Sequence, residues 1–237
     1  MVSSGGNGTA GEYSSGTVNP SDPPSAGTLT LNVNSFSSTL SKINLQAVNN
    51  ITVAATWNLT DPGVPATLNL TAGNNIIFNN GSAIKAGSNW TVDLTAGIGF
   101  AATPAQPAPP SGSDAISLNG NSYIQSGNGD INLYAPGNVT VNTGYINTVG
   151  GGDISVTSVY GDINAGNNNT GYLISGATYL PGNLGLGIGN NVGGISTLYG
   201  GNVTLDAGDD VISIPKTSTS DVMTPGACQR HFAPDRN

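Results

Sequence analysis

Three features of the 237-residue sequence predict an all-β chain wound as a parallel β-helix. Apolar residues alternate with Asn, Thr, Ser and Asp at period two, a phrase of two linked strands recurs along the chain, and each recurrence bends at Asn or Asp. The alternation runs through "TLTLNV" from Thr28, "KINLQAV" from Lys42, "ATLNLTAG" from Ala66, "WTVDLTAG" from Trp90, "DINLYAPG" from Asp130 and "GDISVTSV" from Gly152. Ile, Val or Leu at every second position marks half-buried strands. No segment carries an apolar period of 3.6.

The linked phrase is clearest in "INLQAVNNITV" from Ile43, "LNLTAGNNIIF" from Leu68 and "INLYAPGNVTV" from Ile131, which align without a gap. "ISTLYGGNVTL" from Ile195 fits the same frame, and "ISVTSVYGDI" from Ile154 fits it one residue shorter. Starts at 43, 68, 92, 131, 154 and 195 give intervals of 25, 24, 39, 23 and 41 residues. A period near 24 means stacked coils, roughly seven to nine of them. The two long intervals hold insertions: a Pro-rich loop near 103–113, followed by the strand candidate "AISL", and the stretch "NAGNNNTGYLISGATYLPGNLGLGIGNN". The latter reads as a degenerate coil plus a loop.

Corners follow from the turn residues. Asn50, Asn75, Asn138, Asp162 and Asn202 each stand just before the second strand of a phrase, and Asp130, Asp153 and Asp210 precede other strand starts. Asn and Asp tolerate left-handed backbone and bond back to the chain, so they mark sharp bends. Coils about 4.8 Å apart bring such residues into register as a ladder. The predicted stacked core is Ile43, Leu45, Ile51, Val53, Leu68, Leu70, Ile76, Phe78, Val92, Leu94, Ile131, Leu133, Val139, Val141, Ile154, Val156, Val203 and Leu205. Residues 1–27 read as a flexible Gly/Ser/Pro-rich segment, 28–215 as the solenoid and 216–237 as an irregular tail. Neither end offers an amphipathic helix as a lid, so the sequence predicts open ends: a fragment of a longer rod, or copies joined end to end.

Composition restricts function. Charged residues are 8% of the chain, 35 residues are Gly, and the net charge is −8. The only cations are Lys42, Lys85, Lys216, Arg230 and Arg236, so there is no basic cluster for a phosphate backbone or an anionic membrane. One cysteine, Cys228, excludes an internal disulfide, and one His with one Cys cannot make a structural zinc site. The first residues carry neither basic patch nor apolar run, so no signal peptide is read there. No window approaches the roughly 20 apolar residues of a membrane-spanning helix.

"NVTLDAGDDVISI", "LNLTAGNNIIF" and "GDINLYAPGNVTV" resemble the degenerate repeats of filamentous haemagglutinin-like adhesins, exoproteins that Gram-negative bacteria export by two-partner secretion. The resemblance covers roughly residues 40 to 214. It implies a right-handed parallel β-helix, a location outside the cell or on its surface, an outer-membrane secretion partner, and a non-enzymatic shaft or filament that binds host glycans or proteins. The N-terminal secretion domain of that family, with its Asn-Pro motifs, is not evident.

Candidate chemistry is sparse. Asp206, Asp209 and Asp210 in "LDAGDDVISI" superficially resemble the paired acids of polygalacturonase-type glycosidases, and a β-helical polysaccharide hydrolase or lyase is the alternative reading. His231 lies in a Pro-containing tail, and Lys85 has no second cation nearby in sequence, so it reads as a solvated residue. Asp130, Asp153 and Asp162 would offer calcium ligands if they stacked, although the calcium-binding nonapeptide repeat is missing and corner capping is the simpler reading. "GNLGLGIGNN" from Gly182 fails the Gly-x-Gly-x-x-Gly spacing and is a glycine-rich loop or coil. Asn-x-Ser/Thr sequons at Asn7, Asn50, Asn58, Asn69, Asn80, Asn89, Asn138, Asn168 and Asn202 arise from the alternation itself, with glycosylation as the minor reading. No cofactor, metal or catalytic residue is assigned.

Overall fold

The computed structural model describes residues 1–22, 28–99, 114–167 and 193–213. Over them the chain is a parallel β-helix with three sheets; from Lys42 to Thr197 the strands visit the three sheets in turn, while the strands before Lys42 and after Thr197 join sheets 1 and 2 alone. Sheet 1 stacks Thr17–Val18, Lys42–Ala47, Ala66–Ala72, Trp90–Thr95, Ile131–Ala135, Ile154–Ser158 and Val203–Ala207. Sheet 2 stacks Leu31–Asn32, Val2–Ser3, Ile51–Val53, Ile76–Phe78, Ile116–Leu118, Val139–Val141, Ile163–Asn164 and Val211–Ile212. Sheet 3 stacks Thr56–Leu59, Ala83–Ala86, Tyr123–Ser126, Tyr145–Thr148 and Gly194–Thr197. All pairings among these strands are parallel. Seven strands in sheet 1 agree with the predicted number of coils.

Register explains the core. Ile43, Leu68, Val92, Ile131, Ile154 and Val203 pair successively in sheet 1, so the inward position of each coil stacks on like neighbours. Ile51, Ile76, Ile116, Val139 and Ile163 do the same in sheet 2. Sheet 3 completes the core with Trp57, Ile84, Ile124 and Ile146, which the two-strand phrase does not include. Every predicted core residue is buried except the last two, Val203 and Leu205.

The recurring Gly of "AGNN" and "AGDD" has a steric cause. A Cβ at Gly73 would sit 1.7 Å from the Val48 carbonyl oxygen, and one at Gly208 would sit 2.0 Å from that of Val159. The preceding coil passes too close for any side chain.

Residues 1–22 depart from the predicted flexible segment. Val2–Ser3 is inserted into sheet 2, with Val2 beside both Leu31 and Val53. The short helix Ala10–Ser15 carries a capping box, in which Glu12 N–H donates to Thr9 Oγ1 and Thr9 N–H donates to the Glu12 carboxylate. It ends at Gly16 with φ of 67°, and Thr17–Val18 then joins sheet 1. Tyr13 meets Phe36 edge-on at 5.2 Å, Phe36 lies 5.0 Å from Trp57, and the Tyr13 hydroxyl accepts from Asn32 N–H. With Leu29 and Leu40 also packed on the core, the N-terminal end is covered. The sequence reading missed this cap because its contacts are non-local and its helix has only six residues.

At the other end, Val203 is 41% exposed, whereas its register partner Ile154 is 1% exposed. Val211 and Ile212 are only half-buried. The predicted tail 216–237 lies outside the described residues. Replacing Phe78, fully buried at mid-stack, with Ala is expected to cost about 3–5 kcal/mol of unfolding free energy. Val203→Ala should cost less than about 1 kcal/mol, and chemical denaturation of both variants measures the contrast.

Candidate functional site: corner ladders, outer faces and insertion points

Two corners carry side-chain ladders. Asn50, Asn75, Asn138, Asp162 and Asp210 each precede a strand of sheet 2. Asn75 N–H donates to Asn50 Oδ1 at 3.0 Å, Ala115 N–H to Asn75 Oδ1 at 2.8 Å, Asp162 N–H to Asn138 Oδ1 at 2.9 Å and Asp210 N–H to Asp162 Oδ1 at 3.0 Å. The backbone closes each step the other way: Ile51 N–H donates to Asn75 O, Val139 N–H to Asp162 O and Ile163 N–H to Asp210 O. Ala115 takes the place of an amide in this rank and offers no side-chain acceptor to the next rung.

Asp130, Asp153 and Asn202 precede strands of sheet 1 instead. Asp153 N–H donates to Asp130 Oδ1 at 2.9 Å, and Asn202 donates to Asp153 Oδ1 from its N–H at 2.7 Å and its Nδ2 at 3.3 Å. Of the five predicted corner residues, Asn50, Asn75, Asn138 and Asp162 therefore share one corner and Asn202 occupies the other. "GNVTV" at 137 enters sheet 2 and "GNVTL" at 201 enters sheet 1, so the near-identical phrases are one coil position out of phase. In this second corner region Asn89 Nδ2 donates to Asp61 at 2.8 Å, and that bond, with Gly63 N–H, holds the Asp61 carboxyl below its ordinary range.

The carboxylates regroup accordingly. Asp130 and Asp153 stack with each other while Asp162 stands at the other corner, so the three do not form the cation site that stacking would require. Asp162 instead lies with Asp209 and Asp210, one carboxylate oxygen of each within 4.8 Å of the others. Asp210 N–H donates to Asp162, and Asp209 N–H to Gly161 O, so the cluster is also the last rung of the ladder. Asp206 points outward from Val203–Ala207. Lys85 is an exposed outward residue of Ala83–Ala86, in register with Asn58 and Gln125. Cys228, His231 and the glycine-rich stretch from Gly182 lie outside the described residues.

The outer face of sheet 1 presents two long ranks. Asn44, Asn69, Asp93, Asn132, Ser155 and Thr204 form one, and Gln46, Thr71, Thr95, Tyr134, Thr157 and Asp206 the other. Asn132 Nδ2 donates to Asp93 Oδ1 at 2.8 Å along the first. On sheet 3, Tyr123 and Tyr145 stack with centroids 4.7 Å apart and planes 17° from parallel, and beside them Gln125 Nε2 donates to Asn147 Oδ1. Their 22-residue spacing was readable in the sequence, but only the register of sheet 3 makes them neighbours.

The Pro-rich insertion leaves sheet 1 after Trp90–Thr95 and returns to sheet 2 at Ile116–Leu118, the strand predicted as "AISL". Its stems are pinned, since Gly97 N–H donates to Asn74 O, Ile98 N–H to Ala72 O, and Gly137 N–H to Asp114 O. Residues 103–113 themselves lie outside the described residues. The second insertion leaves sheet 2 after Ile163–Asn164 and returns to sheet 3 at Gly194–Thr197. The degenerate coil predicted between them falls outside the described residues as well.

Burial, and then the neighbouring Tyr123, push the Tyr145 hydroxyl up to about 12. A raised folded-state value favours the neutral phenol, so its contribution to stability is whole below pH 10 and is lost as pH rises through about 12. Absorbance titration of the folded chain should show Tyr145 ionising late. Tyr145→Phe should remove that step and flatten the fall in stability between pH 10 and 12.

Comparison with known proteins finds no matching family model, no matching curated protein and no matching solved structure.

Proposed function

We propose that this chain is a non-enzymatic structural and adhesive protein, a rod segment outside the cell or on the surface of a Gram-negative bacterium. The observation that carries this reading is the outer face of sheet 1, whose two long ranks hold mainly amides and hydroxyls, with Asp93 and Asp206 as their charges and Lys42 at the margin of the face. Such a face offers donors and acceptors at the strand spacing without the desolvation cost of many charges. The repeat phrases resembling filamentous haemagglutinin-like adhesins support the same reading, including export through an outer-membrane partner. The binding element is the Pro-rich loop near 103–113, whose stems are anchored to the preceding and following coils. Its partner is a glycan or protein of a host or surface.

A second reading, a carbohydrate-active enzyme, has one observation in its favour: one carboxylate oxygen from each of Asp162, Asp209 and Asp210 lies within 4.8 Å of the others. Retaining glycosidases hold their acids about 5 Å apart. Deleting residues 103–113 should abolish binding to cells or coated surfaces while leaving the β circular dichroism unchanged. Undiminished binding would remove the loop from consideration. Pectin, alginate and similar polymers should remain uncleaved, whereas cleavage that disappears in Asp209→Asn and Asp210→Asn variants would establish the enzymatic reading instead.

A further inference from the structure

We propose that Asn119–Gly120 is a self-modification site, where the Asn119 side chain closes a succinimide on the following backbone nitrogen and is released as aspartate or isoaspartate. The inference rests on the corner geometry and is independent of the adhesive reading. In the first step the Gly120 nitrogen gives its proton to solvent and bonds to Asn119 Cγ, and the side-chain nitrogen leaves as ammonia. Water then opens the ring at either carbonyl. Opening at one restores the ordinary backbone with an aspartate; opening at the other leaves isoaspartate, whose backbone runs through Cβ and Cγ. Glycine favours the step because no side chain shields its nitrogen.

The chain holds four Asn–Gly pairs, at Asn7, Asn80, Asn119 and Asn128. All four asparagines are exposed, so access by water does not rank them. Their hydrogen bonds do. Asn7 Oδ1 accepts from Thr30 N–H at 2.8 Å, and the following Gly8 N–H is itself tied to Thr30 O at 3.2 Å. Asn80 Oδ1 accepts from Asn121 N–H at 3.0 Å, and Asn128 Oδ1 from Asn89 N–H at 2.6 Å. Each of these carboxamides reaches another segment and must let go before its Cγ can turn back on its own chain. Asn119 is held by its backbone alone, through its N–H to Phe78 O and its O from Ser122 N–H. Its carboxamide bonds to none of the described residues.

The ladder also imposes the glycine that makes this pair reactive. Gly120 has a φ of 56°, and a Cβ on it would sit 2.1 Å from Asn80 Oδ1, the oxygen that holds the Asn121 amide. Protecting Asn80 therefore exposes Asn119. Conversion adds one negative charge to the net −8. Isoaspartate also lengthens the turn between Ile116–Leu118 and Tyr123–Ser126, where Thr143 N–H reaches Gly120 O at 3.0 Å. That rung should be lost in the isoaspartate form.

The test is a time course of the full chain in mildly alkaline buffer, read by peptide mapping with fragmentation that separates aspartate from isoaspartate. A parallel series in urea gives the rates of the unfolded chain. In the folded chain Asn119 should convert first, faster than the other three by roughly 2- to 10-fold, the factor for breaking one net hydrogen bond. In urea the four rates should converge. Asn119→Gln, which lengthens an exposed side chain, should fold as the wild type and lose the early acidic species. Two results would overturn the proposal. Conversion of Asn7, Asn80 or Asn128 as fast as Asn119 in the folded chain would mean that the ladder bonds do not protect. An Asn119 as slow as the others when folded, with all four reacting in urea, would mean that the turn keeps the Gly120 nitrogen out of reach.

Discussion

In a stack of parallel coils, the amide at each corner points along the axis toward the preceding coil, where the chain is bending and no regular strand carbonyl is in place. At these largely exposed corners water is the competing acceptor, so each side-chain bond contributes about 0.5–1.5 kcal/mol net and acts chiefly by fixing one geometry. Here a carboxamide or carboxylate from the equivalent corner one coil earlier supplies the acceptor, at Asn50, Asn75, Asn138 and Asp162 on one edge and at Asp130 and Asp153 on the other. The rest follows from that step. It fixes where each strand begins, hence the register that stacks Ile on Ile, and it sets the close passage that only Gly73 and Gly208 can accommodate. Because their oxygens are holding backbone amides, Asp130, Asp153 and Asp162 act in the fold as ladder residues.

Most of the fold was legible because its period is short and its residues are literal. Alternation at period two named the strands of sheets 1 and 2, and the Asn-then-Ile step named their corners. The phase was harder. Gly, then Asn or Asp, then a β-branched residue is written at Asn138 and Asp162 of one corner and at Asp130, Asp153 and Asn202 of the other, so local sequence cannot tell Asn138 from Asn202; only counting through sheet 3 can. That sheet was missed as a unit because its strands, such as Thr56–Leu59 with its large Trp57, follow sheet 2 after a few residues and share no common phrase. The N-terminal cap left one local signal, Thr9 and Glu12 three apart, but Val2 finds Leu31 and Val53 across long loops that no window reveals. Among candidate sites, the acids from Ala207 onward were visible as a cluster, while the arrival of Asp162 beside them depended on a coil 48 residues earlier.

The stack also shapes what the rod can do. Its N-terminal residues pack over the core, its loop stems are pinned, and its mainly uncharged ranks run along sheet 1. Tyr123 and Tyr145 interrupt the polar character on sheet 3 with a stacked aromatic pair, beside a buried Gln125–Asn147 bond. Function in such a molecule is expected on what departs from the repeat, because the repeat itself is committed to holding register.

The ladder is therefore the claim to test, and site-resolved amide hydrogen exchange tests it directly. In the wild-type chain the amides of Asn75, Ala115 and Asp162 should exchange as slowly as the strand amides that follow them. In an Asn138→Ala variant the Asp162 amide should exchange much faster, while those of Asn75 and Ala115 keep their protection. Fast exchange at all three corners in the wild type, or an Asp162 amide indifferent to the loss of Asn138, would contradict the account.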